Sequence, residues 1–99
     1  MEQIIDWISN WLLSQCDGDW EHEYGVRIET LDNPGWSVKI DLADTELDHL
    51  DFETDIVETS DNDWYVYKVK NKQYFGAGDL NKLGFILEKF KELVESNKK

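Results

Sequence analysis

The feature that most constrains the fold is a pair of alternating segments on either side of a turn signal, in the stretch YGVRIETLDNPGWSVKIDL (residues 24–42). Apolar residues take every second position on both sides: Val26 and Ile28 before the turn and, after it, Trp36, Val38, Ile40 and Leu42. Period two around a turn predicts an antiparallel β-hairpin with one buried face. Pro34 and Gly35 suit the second and third positions of a type II turn, where Gly accepts the positive φ.

Both ends of the chain show the helical period instead. Near the N-terminus an amphipathic stripe runs through Ile4, Ile5, Ile8, Trp11 and Leu12. This helix is expected to end near residues 15–19, because Gly18 can adopt the left-handed conformation common at helix ends. Near the C-terminus Asp79 is the predicted N-cap of a second helix. Its apolar stripe consists of Leu80, Leu83, Ile86, Leu87, Phe90 and Val94.

The segments between the hairpin and the last helix read mostly as strands. WYVYKVK (residues 64–70) is a strong candidate, FETDIVETS (52–60) is a weaker one, and residues 43–51 read as a loop. A turn at Asn71 and Lys72 leads to a short strand at QYF, expected at a sheet edge and ending at a flexible GAG (76–78). We therefore predict one α+β domain spanning residues 1–99: an N-terminal helix, an antiparallel sheet of four or five strands and a C-terminal helix, with both helices on one sheet face.

The charge of the chain is strongly negative and unevenly distributed. The formal net charge is −12, and residues 41–63 contain ten Asp or Glu and no Lys or Arg. Such a field repels phosphate backbones and attracts basic protein surfaces, so we expect no direct nucleic-acid binding. A solvated acidic surface that only maintains solubility is the alternative. The absence of a targeting signal or apolar span and the single cysteine predict a cytoplasmic protein without membrane association.

The stretch QCDGDWEHEYG (residues 15–25) gathers the residues with the most chemical potential. Cys16, Asp17, Asp19, Glu21 and His22 would be the centre of a small metal-dependent hydrolase, an alternative that stays open. One Cys and two His are few for a zinc site, and the calcium-loop ligand pattern is missing. The acidic neighbours disfavour a thiolate, so the thiol is expected to be structural and partly buried. We predict no catalytic residue, metal or cofactor.

The same stretch contains a tryptophan between acidic residues. Trp20 is either an exposed interface residue within a charged rim or a loop residue that caps the core. In the second interpretation Gly18 ends the helix, and Glu21 or His22 ties the loop to backbone groups.

The run QCDGDWEHEYGVRIETLDNPGWSVKIDL, with NDW at 62–64 and YFGAGDL at 74–80, resembles the immunity protein 53 family of bacterial polymorphic-toxin systems. The resemblance implies a small cytoplasmic protein that binds and neutralises a cognate toxin domain and has no catalytic activity. It carries over no functional residue, and the following match the family only as signature positions: Trp20, Glu21, His22, Asp32, Asn33, Pro34, Gly35 and Trp36.

From the charge pattern and this resemblance we predict that the acidic segment occludes a basic toxin surface, such as the active cleft of a nuclease. The predicted partner-binding residues, chosen because the acids concentrate charge without local compensation, are Trp20, Asp44, Glu46, Asp48, Asp51, Glu53 and Asp55. A promiscuous acidic adaptor that mimics nucleic acid is a third alternative. The sequence leaves the toxin and the oligomeric state open.

Overall fold

The computed structural model describes residues 2–97 and has the predicted α+β architecture, with six strands where four or five were expected. Helix α1 (Glu2–Gln15) and a short helix α2 (Trp20–Glu23) precede the sheet, and α3 (Leu83–Ser96) follows it. The strands are β1 (Val26–Leu31), β2 (Gly35–Asp41), β3 (Phe52–Glu53), β4 (Val57–Ser60), β5 (Asp63–Lys70) and β6 (Gln73–Gly78). All pair antiparallel in the order β1-β2-β6-β5, and β3 and β4 follow each other along the far side of β5.

The core lies between one face of the sheet and the two long helices, as predicted. Val38, Ile40 and Tyr74 project from the central strands and are fully buried with Phe90 of α3. The Trp11 ring of α1 meets the Phe90 ring edge-on at 5.0 Å between centroids, which joins the two helices. Within residues 2–97, no helix is long and apolar enough to cross a membrane.

The predicted hairpin is confirmed, but its turn type is wrong. β1 and β2 pair from Val26 opposite Ile40 to Leu31 opposite Gly35, and residues 32–34 form the turn. Gly35 does not have the positive φ that a type II turn requires there. It is the first residue of β2, where a Cβ atom would collide with the carbonyl oxygen of Gly78. Glycine is needed there for close packing rather than for turn geometry.

The C-terminal strand also differs from the prediction. The turn at Asn71 and Lys72 is confirmed by positive φ angles of 53° and 61°, but β6 continues through the GAG segment and pairs with both β2 and β5. The expected edge position and flexible end are therefore wrong. Gly76 and Gly78 are buried because α3 packs directly onto them, with Ile86 and Lys82 in the space a Cβ atom would fill. This helix contact outweighs the low strand propensity of glycine.

The predicted N-cap of the last helix is wrong as well. α3 begins at Leu83, Lys82 is its N-cap residue, and Leu80 lies outside the helix with 52% of its surface exposed. The Asp79 carboxylate instead accepts hydrogen bonds from the backbone N–H groups of Trp64 and Asn81. It holds the strand-to-helix turn against β5.

Candidate interaction surfaces

The turn between α1 and α2 is built from carboxylates that accept backbone hydrogen bonds. Gly18 has a φ of 98°, and the Asp17 Oδ1 atom accepts the N–H groups of Asp19 and Trp20, each at 2.9 Å. Glu21 accepts the N–H groups of Asp17 and Gly18. Hydrogen bonds from backbone N–H groups hold the pKa values of Asp17 and Glu21 below their ordinary values. The largest contribution comes from the amide of Trp20 for Asp17 and from the residue's own amide for Glu21. These two carboxylates therefore shape the turn.

Trp20 caps the core, as the second interpretation predicted. Its side chain is 5% exposed, and its ring meets the Trp11 ring edge-on at 6.1 Å. The indole N–H donates a 2.8 Å hydrogen bond to the carbonyl oxygen of Ala43. This bond fixes the α1–α2 turn against the start of the acidic segment.

The residues of the proposed hydrolase centre are not arranged as a metal site. Among the side chains that the structure describes, residues 3–97, no group of three or more His, Cys, Asp or Glu is placed to hold a metal ion. Cys16 is exposed, so the expectation of a partly buried thiol is wrong. The helix ends just before it, and the thiol donates to the carbonyl oxygen of Leu12 at 3.3 Å on the outside of that last turn.

Two acidic regions that are separate in the sequence meet at this end of the sheet. Asp44 lines a cavity of about 320 Å³ together with Asp17, Asp19 and Glu23, and the lining contains no Lys or Arg. We call Asp17, Asp19, Glu21, Glu23 and Asp44 the acidic corner. The predicted hairpin brings Gly25 next to Asp41, and the long-range bond from Trp20 to Ala43 completes the contact between the two acidic regions. Sequence reasoning missed the contact because it did not predict that bond.

Other predicted acids lie on the loop that follows. Glu46 is exposed, and its carboxylate accepts hydrogen bonds from the indole of Trp11 at 2.9 Å and the amide of Gln15 at 3.1 Å. Asp48 is half-buried. Between them Leu47 is fully buried, which anchors the loop in the core. The loop therefore presents its charge from a fixed backbone.

The remaining predicted acids are Asp51 just before β3, Glu53 in it and Asp55 just after it, and their electrostatic surroundings differ from those of the acidic corner. Lys70 Nζ lies 2.6 Å from Asp51 Oδ1 and 3.5 Å from Glu53 Oε1. The hydrogen bond to Asp51 raises the pKa of Lys70. The expectation that these acids have no local compensation is therefore wrong for Asp51 and Glu53. Asp55, in the gap between β3 and β4, is exposed.

Basic side chains collect on the sheet face opposite the helices. The strand register places Arg27, Lys39, Lys68 and Lys70 there, and the Lys68 ammonium lies 5.6 Å from the centre of the Phe75 ring. A polar cavity of about 410 Å³ at one end of this face is lined by Arg27 and Lys39 and also by Glu23 and Asp41. The face thus contains both of the basic residues found in the acidic first two thirds of the chain.

The opposite end of the sheet is closely packed. Gly35 lies under the Trp64 ring, and Gly78 lies under Lys82. The Asp79 carboxylate is 2.8 Å from Lys82 Nζ, which is also 2.7 Å from Asp63 Oδ1. Burial opposes ionisation of Asp79, but the Lys82 hydrogen bond and the N–H donors lower its pKa overall. We call Gly35, Trp64, Gly78, Asp79 and Lys82 the packed end.

Comparison with known protein families identifies a matching family. A family model described as immunity protein 53 matches residues 5–95 of the chain. The search of curated proteins and the search of solved structures give no match. The runs DNPGW, NDW and GAGD, on which the resemblance partly rests, meet at the packed end, whereas QCDGDWEHEYG forms the α1–α2 turn and the acidic corner.

Proposed function

The chain belongs to the immunity protein 53 family, and we propose on that basis that it binds a cognate toxin domain and neutralises it by covering a basic surface. Membership in an immunity-protein family supports a binding role rather than catalysis. The observation that carries the binding mode is the acidic corner, where four carboxylates line one cavity together with His22 and without Lys or Arg. Of the four, Glu23 also borders the neighbouring cavity that is lined by Arg27 and Lys39.

The acidic corner and the adjoining loop are the centre of the proposed surface. The side chains of Asp19, Glu23 and Asp44 are exposed, and Asp48 adds a half-buried carboxylate on the loop. Because Trp20 fixes the corner to the loop through Ala43, these charges are held in place before the partner arrives. Pre-organised charge lowers the ordering cost of binding.

The other predicted residues have secondary roles in this proposal. Glu46 extends the surface toward α1 through its bonds to Trp11 and Gln15. Asp51 and Glu53 are partly neutralised by Lys70, so their attraction for a basic toxin is weaker. Asp55 lies near the exposed apolar residues Ile56 and Val57, which supply contact area at the periphery. Trp20 contributes through its loop, because its ring is buried.

Charge and shape have separate effects in this mode of binding. Long-range attraction between the −12 protein and a basic toxin accelerates their encounter, and salt weakens it. Contacts made after the encounter determine how slowly the complex dissociates. Occlusion requires only that the bound protein covers the toxin's active surface, so neutralisation needs no chemistry from this chain.

Co-expression with the toxin domain encoded beside the chain tests the function. We expect restored growth of the host and a stoichiometric complex in size-exclusion chromatography. A panel of unrelated basic proteins, tested in parallel, distinguishes a specific immunity protein from a promiscuous acidic adaptor. Equal binding across the panel would support the adaptor, and neither complex nor rescue with a folded, active toxin would refute the proposal.

A further inference from the structure

We propose that β1 is a docking edge for a second copy of this chain, so that two β1 strands pair antiparallel about Ile28 and join two sheets into one. The proposal is independent of the toxin-binding surface. It starts from a difference between the two edges of the sheet.

The β1 edge lacks the proline, lysine and register shift that proteins use to block strand addition, and its two charged residues have opposite signs. Residues 26–31 pair with β2 without a register shift, and they contain no Pro and no Lys. The residues on the helix side of this strand, Val26, Ile28 and Thr30, carry no charge, and Ile28 is 38% exposed. An edge of this length and composition readily accepts another strand.

The opposite edge is protected in several ways. It is divided into β3 and β4, which are two and four residues long, and β4 has a register shift between Glu58 and Ser60. In the gap between them the Thr54 hydroxyl donates to the Tyr67 carbonyl and accepts from the Tyr67 N–H. Short strands and an irregular register both discourage strand addition. A second copy is therefore expected at β1.

The hydrogen-bond phase of the hairpin determines which backbone groups of β1 face outward. The Asp41 N–H donates to the Gly25 carbonyl, so position 25 points its backbone groups toward β2. In an antiparallel pair this direction alternates, so odd-numbered positions face β2. The N–H and C=O groups of Val26, Ile28 and Thr30 are those available to a new strand.

One register of the β1–β1 pair gives hydrogen bonds to all of these backbone groups and also places opposite charges across from each other. With Ile28 opposite Ile28 of the second copy, Val26 pairs with Thr30 of the second copy, and all outward groups of the strand exchange hydrogen bonds. Arg27 then lies opposite Glu29 of the second copy, at non-hydrogen-bonded positions where side chains approach most closely. The strand is therefore complementary to itself.

The neighbouring registers that keep the same hydrogen-bond phase are unfavourable. A slip in one direction places Arg27 opposite Arg27 of the second copy, and a slip in the other places Glu29 opposite Glu29. Like charges directly opposite each other destabilise a strand pair. Within its own chain Arg27 lies opposite Lys39, and Glu29 lies opposite Ser37. Neither charge has an opposite charge directly across the hairpin, because Asp41 and Lys39 are only diagonal neighbours of Arg27 and Glu29. A second copy supplies an opposite charge directly opposite each of them.

Sedimentation equilibrium at about 0.15 M salt, where the repulsion between two chains of charge −12 is largely screened, measures the association. We expect the wild-type chain to dimerise reversibly. Arg27→Glu and Glu29→Arg should each raise the dimer dissociation constant by about tenfold or more, because each places like charges opposite each other. A chain that stays monomeric up to its solubility limit would overturn the proposal.

Charge exchange gives the sharper result. The double variant Arg27→Glu/Glu29→Arg should regain the wild-type dissociation constant, and a mixture of the two single variants should form a heterodimer. Glu58→Arg, the same reversal on the β4 edge, is the matched control and should leave dimerisation unchanged. Glu29→Arg lowers the net repulsion between copies yet is expected to weaken the dimer, which separates specific pairing from overall charge.

This interface would be excluded if Arg27→Glu, Glu29→Arg and Glu58→Arg all changed the dimer dissociation constant equally. It would also be excluded if none of the three changed it. Far-ultraviolet circular dichroism and thermal unfolding of each variant verify that the monomer is folded. The hairpin tolerates both reversals, because Arg27→Glu places a carboxylate opposite Lys39 and Glu29→Arg faces Ser37.

Discussion

The two ends of the β1–β2 hairpin are built by opposite rules. At the packed end glycines lie under Trp64 and Lys82, and the Asp79 carboxylate has its hydrogen-bond donors in place. At the acidic corner the carboxylates surround a cavity whose lining offers no Lys or Arg. The packed end uses its charge to close the structure. At the acidic corner Asp17 and Glu21 also close a turn, but the carboxylates of Asp19, Glu23 and Asp44 are exposed, and the proposed function assigns these to the partner.

The difference between the two ends indicates that the residues that support the family resemblance fall into two groups, one that packs the structure and one that forms the acidic corner. DNPGW, NDW and GAGD come from distant parts of the chain and make contacts with one another. Substitutions in these three runs should lower the free energy of unfolding, whereas substitutions of the exposed acids at the acidic corner should alter toxin binding alone.

The largest expected loss of stability is that of Gly35→Ala, which tests whether the packed end has room for an added methyl group. The added Cβ atom would collide with the backbone carbonyl of Gly78, which cannot move without breaking the sheet. We expect a loss of about 3 kcal/mol in the free energy of unfolding, measured by denaturant titration.

Gly25→Ala is the matched control at the other end of the same strand pair. No atom lies within 4 Å of its added Cβ, so the free energy of unfolding should change by less than about 1 kcal/mol. Equal losses for the two substitutions would contradict the difference between the ends.

The second effect concerns the buried carboxylate. Asp79→Asn replaces one acceptor oxygen with a donor beside the N–H groups of Trp64 and Asn81, and we expect a loss of about 2 kcal/mol near neutral pH. The folded state lowers the pKa of Asp79, so its stabilisation is present above the unfolded pKa and is lost as pH falls below about 4.

The stability difference between wild type and Asp79→Asn should therefore narrow in acid, which thermal unfolding across pH measures. Asp44→Asn is the control at the acidic corner. Asp44 is exposed with a φ of 62°, which Asn tolerates, so no measurable change is expected. A constant difference at all pH values would assign the Asp79 effect to packing instead of charge.

The third prediction compares two indole hydrogen bonds, that of Trp20 at the acidic corner and that of Trp36 at the packed end. Trp20→Phe removes the bond to Ala43 and leaves a small cavity, so we expect a loss of about 1–2 kcal/mol together with weaker toxin binding. Trp36→Phe removes a longer bond to the Leu80 carbonyl at the packed end and should leave toxin binding unchanged. Calorimetric titration with the toxin distinguishes the two.

The smallest effect on stability is expected for Lys70→Gln. Its ion pairs with Asp51 and Glu53 are exposed, so the unfolding midpoint should not shift measurably. The same substitution frees both carboxylates, and the association rate with a basic toxin should rise. Lys89→Gln, which breaks the exposed pair with Glu92 on α3, is the control for the simple loss of a positive charge.

Much of the fold could be predicted because its signals are local. The alternation around Val38 and the helical stripe through Phe90 depend only on neighbouring residues. The course of β6 could not be predicted, because Gly76 and Gly78 are strand residues only where α3 covers them. The cap on α3 was missed for a related reason: the partner of Asp79 is the amide of Trp64, fifteen residues away.

The sequence identified several of the acidic residues of the candidate site, but it did not predict how the fold brings them together. The charge pattern identified Asp44 and its neighbours, and the predicted hairpin pairs Gly25 with Asp41, but no periodicity extends that contact to residues 17–23. That connection depends on the burial of Trp20 and its bond to Ala43. The pairing of Asp51 with Lys70 likewise depends on the β3–β5 register, and strand β4 lies between those two strands in the sequence.

The most direct test of the central claim is the association rate with the toxin as a function of salt, measured by stopped flow on two variants of equal charge. The corner variant replaces four acids of the acidic corner and its loop by amides: Asp19→Asn, Glu23→Gln, Asp44→Asn and Asp48→Asn. The matched variant replaces four exposed acids elsewhere: Asp32→Asn, Asp61→Asn, Glu88→Gln and Glu95→Gln.

We predict that the corner variant associates about tenfold more slowly at low salt and loses most of the salt dependence, while the matched variant changes by less than about twofold. Equal slowing of the two variants would mean that only total charge matters. Unchanged rates in the corner variant would show that the toxin binds elsewhere, and either result would contradict the account.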